Sequence, residues 1–315
     1  MKIFAFDPAD HREQFLAQEW IHVKGGIDPE FLDHLQSYAR ERLEATRLEG
    51  FGIKGKKEQS LFEFPPGVDY PGELFDVVSQ LCDLRRESMT LSERHIQDYD
   101  EDADPDPLPH KDRYASQISL GFSIDIPAAS KLVIYPFEHR EVNAFNSSHA
   151  LRASLRPDQL PEEVVRTARE VVLDDEPGDV VAFYGSTTWH LRRTAAGAVN
   201  LYCKFNDFDC DPLGEDPTTE ERRSQTLGAL DGANGRLADR VPVLSRRFDL
   251  VTRHYTRDWQ EVLQASVWGG ESIGLSEPQY RLLQSIDGKR PLGELGDGAE
   301  ADVRLLARHG LLDLL

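Results

Sequence analysis

The chain has 315 residues, with 36 basic side chains against 56 acidic ones and a net charge of −20. So acidic a balance argues against nucleic acid and anionic membranes as partners, since both are polyanions, and no stretch approaches the roughly 18 apolar residues of a membrane helix. Three cysteines, Cys82, Cys203 and Cys210, lack CxxC spacing and argue against a disulfide framework or a structural zinc site; with no apolar signal core in "MKIFAFDPADHREQ", the expectation is a reducing, cytoplasmic setting.

Residues 8 to about 48 predict mainly helix: Phe31, Leu32, Leu35 and Tyr38 share one helical face, and Asp28 before Pro29 makes a start signal. A second helical pattern, "GELFDVVSQLCDLRRESM", falls within 72–96. The acidic, proline-rich "DYDEDADPDPLP" (98–109) reads as a surface loop that ends at His110 and could form a lid. From 112 to about 209 the texture changes to short strand-like runs: "SQISLGFSI", "KLVIYPF", "VNAFN", "EVVLD", "DVVAFYG" and "VNLYCKFND". Turn signals separate them and one helical insert, "DQLPEEVVRTARE", interrupts them, which suggests a sandwich or barrel.

Residues 211–240 are polar and read as a linker or loose excursion. From 241 to 315 the pattern is helical again, with a capping box at Ser276 and Gln279, and looks like a small winged-helix-like module. Packing or homodimerisation is its expected role and peptide docking a second; its last helix is not strongly basic, which argues against reading DNA. Arg246, Arg247 and Arg253 form either a basic patch or an ordinary solvated face.

His110 and Asp112 stand two residues apart, and in a strand i and i+2 face one side. They are either two ligands aimed at one ion or two polar residues on a wet face. A third donor, His190, follows 80 residues later in "EPGDVVAFYGSTTWHLRR". Two imidazoles and one carboxylate on one face of an ion leave three positions open, the facial set of mononuclear nonheme iron(II). Singly, each has a plainer reading: a loop histidine, a turn aspartate, a packed histidine. His139 and His149 lie between the ligand segments; His149, the better alternative ligand, has no carboxylate two residues on, and both are left out.

The HxD segment, the later histidine after "PGDVVAFYGSTTW" and the strand texture between them resemble the iron(II)/2-oxoglutarate-dependent oxygenases. The opening "FLAQEWIHVKGGIDPEFLDHLQSYARERL" is similar to the helical segment of the phytanoyl-CoA-dioxygenase-like branch. The resemblance covers about residues 15–208. It implies an α+β fold: a double-stranded β-helix (jelly roll, cupin-like) core at about 110–209, flanked by helices within a domain of 1–210, and followed by the helical module. It implies iron(II) on His110, Asp112 and His190, with 2-oxoglutarate and dioxygen as cosubstrates. The implied reaction hydroxylates an unactivated C–H of a small molecule or peptide side chain and releases succinate and CO2. Related halogenases lack the carboxylate ligand, so Asp112 argues against halogenation.

One position departs from the family. The arginine that holds the far carboxylate of 2-oxoglutarate usually stands about ten residues past the second histidine, and here that residue is Asn200. Lys204, on the same strand face, and Arg193 are the first substitutes expected, then Lys131, with Gln117 facing the cavity. The gap keeps a second function class in view: a non-redox, cupin-like metal- or ligand-binding protein with a partner-docking tail. The acidic loop beside the site would favour a cationic substrate.

Overall fold

The computed structural model describes residues 1–42, 57–232, 236–296 and 298–315. The chain divides into two compact units, Met1–Phe208 and Asp209–Leu315.

The first unit opens with α1 (Ala9–Gln18), β1 (Trp20–Val23) and α2 (Pro29–Arg42), then β2 (Lys57–Leu61), α3 (Tyr70–Cys82) and β3 (Thr90–Tyr99). The described part of the span 8–48 is mainly helix, as expected, but "WIHV" within it is a strand that pairs antiparallel with residues 180–183, and 43–48 lie outside the described residues. The span 72–96 is helix only to Cys82. Asp83 adopts φ 58°, a left-handed cap that ends α3, and "TLSERHIQDY" alternates as β3. The expected start of α2 is present, with the Glu30 amide donating to Asp28 Oδ1 at 3.0 Å.

The core follows as β4 (Ile118–Asp125), β5 (Lys131–Tyr135), α4 (Ser148–Ser154), α5 (Pro161–Thr167), β6 (Val171–Leu173), β7 (Val180–Phe183), β8 (Trp189–Arg193) and β9 (Val199–Asn206). "VNAFN" forms no strand, and its Asn143 is tied instead to the Asp112 carbonyl. One sheet has the order β1-β7-β4-β9-β3-β2 and the other β6-β5-β8, with His110 bridging antiparallel to His190 beside β8. Apart from β5 and β6, which pair within the smaller sheet, successive core strands therefore cross between the sheets, the winding of a jelly roll. The fold class expected from the sequence is the one observed.

Strand parity divides the larger sheet into a dry face and a polar one. Its outer face carries Leu120, Phe122, Val180, Ala182, Leu201, Cys203 and Phe205, packed with Phe15, Phe31, Leu35, Leu74 and Leu81 from α1, α2 and α3. Its inner face follows the register Glu93↔Lys204↔Ser119, His95↔Tyr202↔Gly121 and Gln97↔Asn200↔Ser123. Leu132, Ile134, Leu173, Val181, Phe183 and Tyr202 join the two inner faces. Gly121 is required at that contact, because a Cβ would lie 2.8 Å from both Tyr202 Cε1 and Val181 Cγ2. The smaller sheet turns Val133, Tyr135, Trp189 and Leu191 outward onto Leu151 and Val164 of α4 and α5.

The second unit comprises α6 (Pro217–Leu230), β10 (Pro242–Leu244), β11 (Phe248–Tyr255), β12 (Glu261–Val267), β13 (Ile273–Gly274), α7 (Glu277–Ser285), α8 (Ala299–Arg308) and β14 (Leu312–Leu314). The stretch read as a linker holds α6, whose Ala229 and Leu230 join the unit's own core of Ala265, Leu283, Val303, Leu306 and Leu312. The Ser276–Gln279 capping box is present at the start of α7. The helices expected from 241 onward are accompanied by the three-stranded sheet β11-β12-β13, which short polar alternation such as "FDLVTRHY" did not reveal. Arg246 is buried in ion pairs with Asp209 and Asp216, and Arg253 pairs with Glu261 and Glu277, so these two arginines do not form a free basic patch.

Candidate metal centre

Two local features bring the three sequence-predicted donors together. The backbones of His110 and His190 exchange both hydrogen bonds at 2.9 Å, which sets their rings with centroids 4.3 Å apart. Asp112 is tied to the turn after β7, its amide donating to the Gly185 carbonyl at 3.0 Å. One ligand atom from each of His110, Asp112 and His190 then lies within 4.8 Å of the others. His110 is open to solvent, while Asp112 and His190 are buried.

Surrounding contacts orient the donors. His190 Nδ1 lies 2.9 Å from the Thr188 carbonyl, which can only accept, so Nδ1 carries the proton and the Nε2 lone pair faces Asp112 Oδ2 at 3.7 Å. Ser119 Oγ donates to Asp112 Oδ2 at 2.5 Å, and Lys204 Nζ donates to Oδ1 at 2.7 Å. Lys204 also reaches Glu93 Oε2 at 3.3 Å, and Glu93 Oε1 accepts from Arg113 and Ser116. Gly185 makes this packing possible, since a Cβ there would lie 2.6 Å from Asp112 Oδ2 and 2.2 Å from Ser119 Oγ.

Electrostatics keep the cluster ionised. Burial opposes the charge on Asp112, but the Lys204 ammonium outweighs it and holds the carboxyl well below the usual range. Burial likewise opposes charge on Lys204, yet Asp112 and Glu93 push its pKa up to about 12. Glu93 is held low by Lys204 and Arg113 against the same burial.

The donors open on a cavity of about 330 Å³ lined by Glu93, Gln97, Tyr99, Leu132, Arg192, Tyr202 and Lys204, with Asp104 and Leu108 from the acidic loop. Of the four cosubstrate residues expected from sequence, Lys204 alone lines it. The other three are corrected. Arg193 points to the opposite side of β8 from His190, and pairs with Glu170 at 2.9 Å and Asp106 at 3.4 Å. Lys131, its register partner on β5, bonds the Ala128 carbonyl and Asp174. Gln117 precedes β4 and accepts from the Asp207 amide at 3.0 Å.

Sequence reasoning missed Arg192. It is two residues past His190 on the same strand, so period-two alternation puts it on the histidine's face, and that signal was available. Its guanidinium forms a two-pronged pair with Asp175 at 3.2 and 2.8 Å and reaches Asn200 Oδ1 at 3.3 Å. An arginine from β8 thus fills the space beside the asparagine where the family resemblance expected one from β9. Glu93 and Asp175 were missed too, and no local pattern marks either.

A jelly roll with two imidazoles and one carboxylate at a cavity defines the class: a β-sandwich whose donor set can hold one transition-metal ion with coordination positions to spare. No protein-family model matches the chain, and no curated protein is similar to it. Similar solved structures include the non-heme alpha ketoglutarate dependent epimerase SnoN from nogalamycin biosynthesis, at 16% identity over 64% of this chain and 84% of that one, TM-score 0.47. A Pseudomonas putida prolyl-4-hydroxylase is 12% identical over 64% of this chain and 98% of that one, TM-score 0.44. HygX from Streptomyces hygroscopicus, solved with nickel, 2-oxoglutarate and hygromycin B bound, is 11% identical over 65% and 89%, TM-score 0.42. The chemistry of the site is set by its own donor atoms, not by these likenesses.

Proposed function

We propose that the chain is an iron(II)- and 2-oxoglutarate-dependent dioxygenase that hydroxylates a C–H of a small molecule or peptide side chain. The convergence of His110, Asp112 and His190 within 4.8 Å at the mouth of a cavity carries this reading. Both imidazoles and the carboxylate suit iron(II), and a facial set leaves room for a chelating 2-oxo acid and dioxygen. Bound there, iron(II) supplies the coupling of 2-oxo acid decarboxylation to oxidation of the substrate.

Groups of this chain supply the rest. The Thr188 backbone carbonyl fixes the His190 tautomer, and the Ser119 and Lys204 side chains fix Asp112. The charges around the cavity also balance: Asp112, Glu93 and Asp175 face Lys204, Arg192 and Arg113. A divalent ion adds two positive charges to that balanced set, and a dianionic 2-oxo acid offsets them. Leu108 and Leu132 give the cavity apolar wall against water. Asp104 from the acidic loop and Lys111 also line it, with opposite charges.

The test is succinate formation from 2-oxoglutarate under air, with iron(II) added to the purified protein and to His190→Ala. Turnover in the wild type and none in the variant supports the reading. A second reading, a non-redox jelly roll that binds a ligand, is favoured by one observation: two of the buried cavity cations, Lys204 and Arg192, are already ion-paired, and a third, Lys111, donates to the His139 and Glu141 carbonyls. Absence of both succinate and 2-oxo acid binding would establish it instead.

A further inference from the structure

The polar inner face of β3 and β9 raises a question that the metal donors do not answer: what balances the end of the cavity away from them. Three side chains meet there. Tyr99 from β3 and Tyr202 from β9 line the cavity with Arg192 from β8. The two tyrosines come from paired strands on the inner face, while Arg192 faces them from the other sheet. Arg192 sits two residues past the metal-donor His190 on the same strand face, so about 6.8 Å of strand separates them. That span matches the length of a five-carbon dicarboxylate whose first end lies at the donors.

Arg192 cannot grip a carboxylate with its fork. Both terminal nitrogens are committed: NH1 to Ser130 and Asp175, NH2 to Asp175 and Asn200. Its charge is buried and offset by that of Asp175. Two donors beside it are orphaned: Arg192 Nε and Asn200 Nδ2 are buried with no partner. Buried polar atoms without partners are rare in folded proteins and call for an explanation. The phenol hydroxyls of Tyr99, which reaches Gln97 Oε1 at 3.5 Å, and of Tyr202 supply what the fork does not. Burial pushes both pKa values up to about 12, so both remain hydroxyls, able to donate to an anion.

We infer that Tyr99 and Tyr202, with the unpartnered N–H groups of Arg192 and Asn200 beside them, hold the far carboxylate of the 2-oxo dicarboxylate and set the chain's preference for it. The inference rests on the oxygenase reading and deepens it: it assigns cosubstrate selection to two hydroxyls, with Asp175 occupying the arginine fork. Leu132 and Ala195 close the wall around the ligand's methylenes. Lys204 is thereby left to Asp112 and Glu93.

The test compares 2-oxoglutarate with 2-oxobutyrate, which keeps the 2-oxo acid head and lacks the far carboxylate. The full-length protein is loaded with iron(II) without oxygen, and binding is read by the visible absorption of the chelate and by calorimetry. Wild type is expected to bind 2-oxoglutarate at least tenfold tighter than 2-oxobutyrate. In Tyr99→Phe/Tyr202→Phe that ratio should collapse by about 10- to 100-fold, the scale of two hydrogen bonds to a charged group. Affinity for 2-oxobutyrate and for the metal should stay within about twofold of wild type, since neither ligand uses these hydroxyls. Phenylalanine preserves ring packing, and an unchanged Tm confirms the fold. The single variant Tyr202→Phe should lose part of the ratio by itself.

A double variant that discriminates as well as wild type overturns the tyrosine assignment and leaves the oxygenase reading standing. A wild type that binds both acids equally also overturns it. A wild-type protein that binds iron(II) but neither acid overturns the oxygenase reading itself, and this inference with it.

Discussion

At the scale of residues, the metal donors depend on small contacts. Gly185 is the clearest case, because any side chain there would occupy the space of Asp112 Oδ2 and Ser119 Oγ. Gly185→Ala is expected to weaken metal binding by about 10- to 100-fold, the scale of disturbing a ligand's supporting contacts, with the fold retained; calorimetric titration with iron(II) checks it. Lys204 makes an opposite prediction. Lys204→Met leaves Asp112 and Glu93 as two buried carboxylates, and should cost the metal-free protein about 3 kcal/mol in denaturant unfolding. Adding Glu93→Gln should recover part of that loss. A saturating divalent metal should recover more, since the ion then meets the charge of Asp112. His110 and Asp112 were legible because HxD spacing is local, whereas Lys204 stands 92 residues from the carboxylate it holds.

At the scale of elements, strand parity decides which cation enters the cavity. On β8, His190 and Arg192 face inward while Leu191 and Arg193 face outward. Expecting Arg193 rather than Arg192 at the cosubstrate lost that alternation. The Arg192–Asp175 pair joins β8 to the segment before β7 with both side chains almost wholly buried. Burial opposes the charge on Asp175, but Arg192 outweighs it and its carboxyl is held below the ordinary value. Its contribution to stability is therefore complete above about pH 4 and lost as pH falls through the lower folded-state value. Asp175→Asn should destabilise the protein at pH 7 by about 3 kcal/mol, and its stability should fall less steeply than that of wild type below about pH 4, as thermal unfolding across pH 2.5–7 would show. In the second unit, Ser276→Ala removes the cap that accepts from the Gln279 amide and should cost about 1 kcal/mol.

At the scale of the whole molecule, two units have separate hydrophobic cores, and only the first carries the metal donors. A divalent metal at about 100 times its dissociation constant should stabilise the first unit by about 2.7 kcal/mol, visible as a raised Tm in wild type and absent in Asp112→Ala. Leu306→Ala opens a cavity in the second core and should cost that unit about 2–5 kcal/mol, with metal affinity unchanged by titration. The helices flanking the sandwich were readable because their apolar faces recur with the helical period. β1 was not, because four residues within a helical stretch become a strand only when β7 offers its edge.

The sequence by itself determined a sandwich or barrel, and its resemblance to the oxygenases implied the jelly roll and the three candidate donors. Alternating apolar runs, turn signals and HxD spacing are short-range patterns, and a strand's period of two converts them into geometry. The tertiary structure alone decided which cations serve the cavity and which are spent on surface pairs. Arg192 meets Asn200 from the facing sheet, Lys204 meets Asp112 across paired strands, and Arg193 and Lys131 leave the cavity for Glu170 and Asp174. Each outcome follows from burial: a charge taken out of water must find its partner, and the partner is set by how distant strands pack rather than by neighbours in sequence.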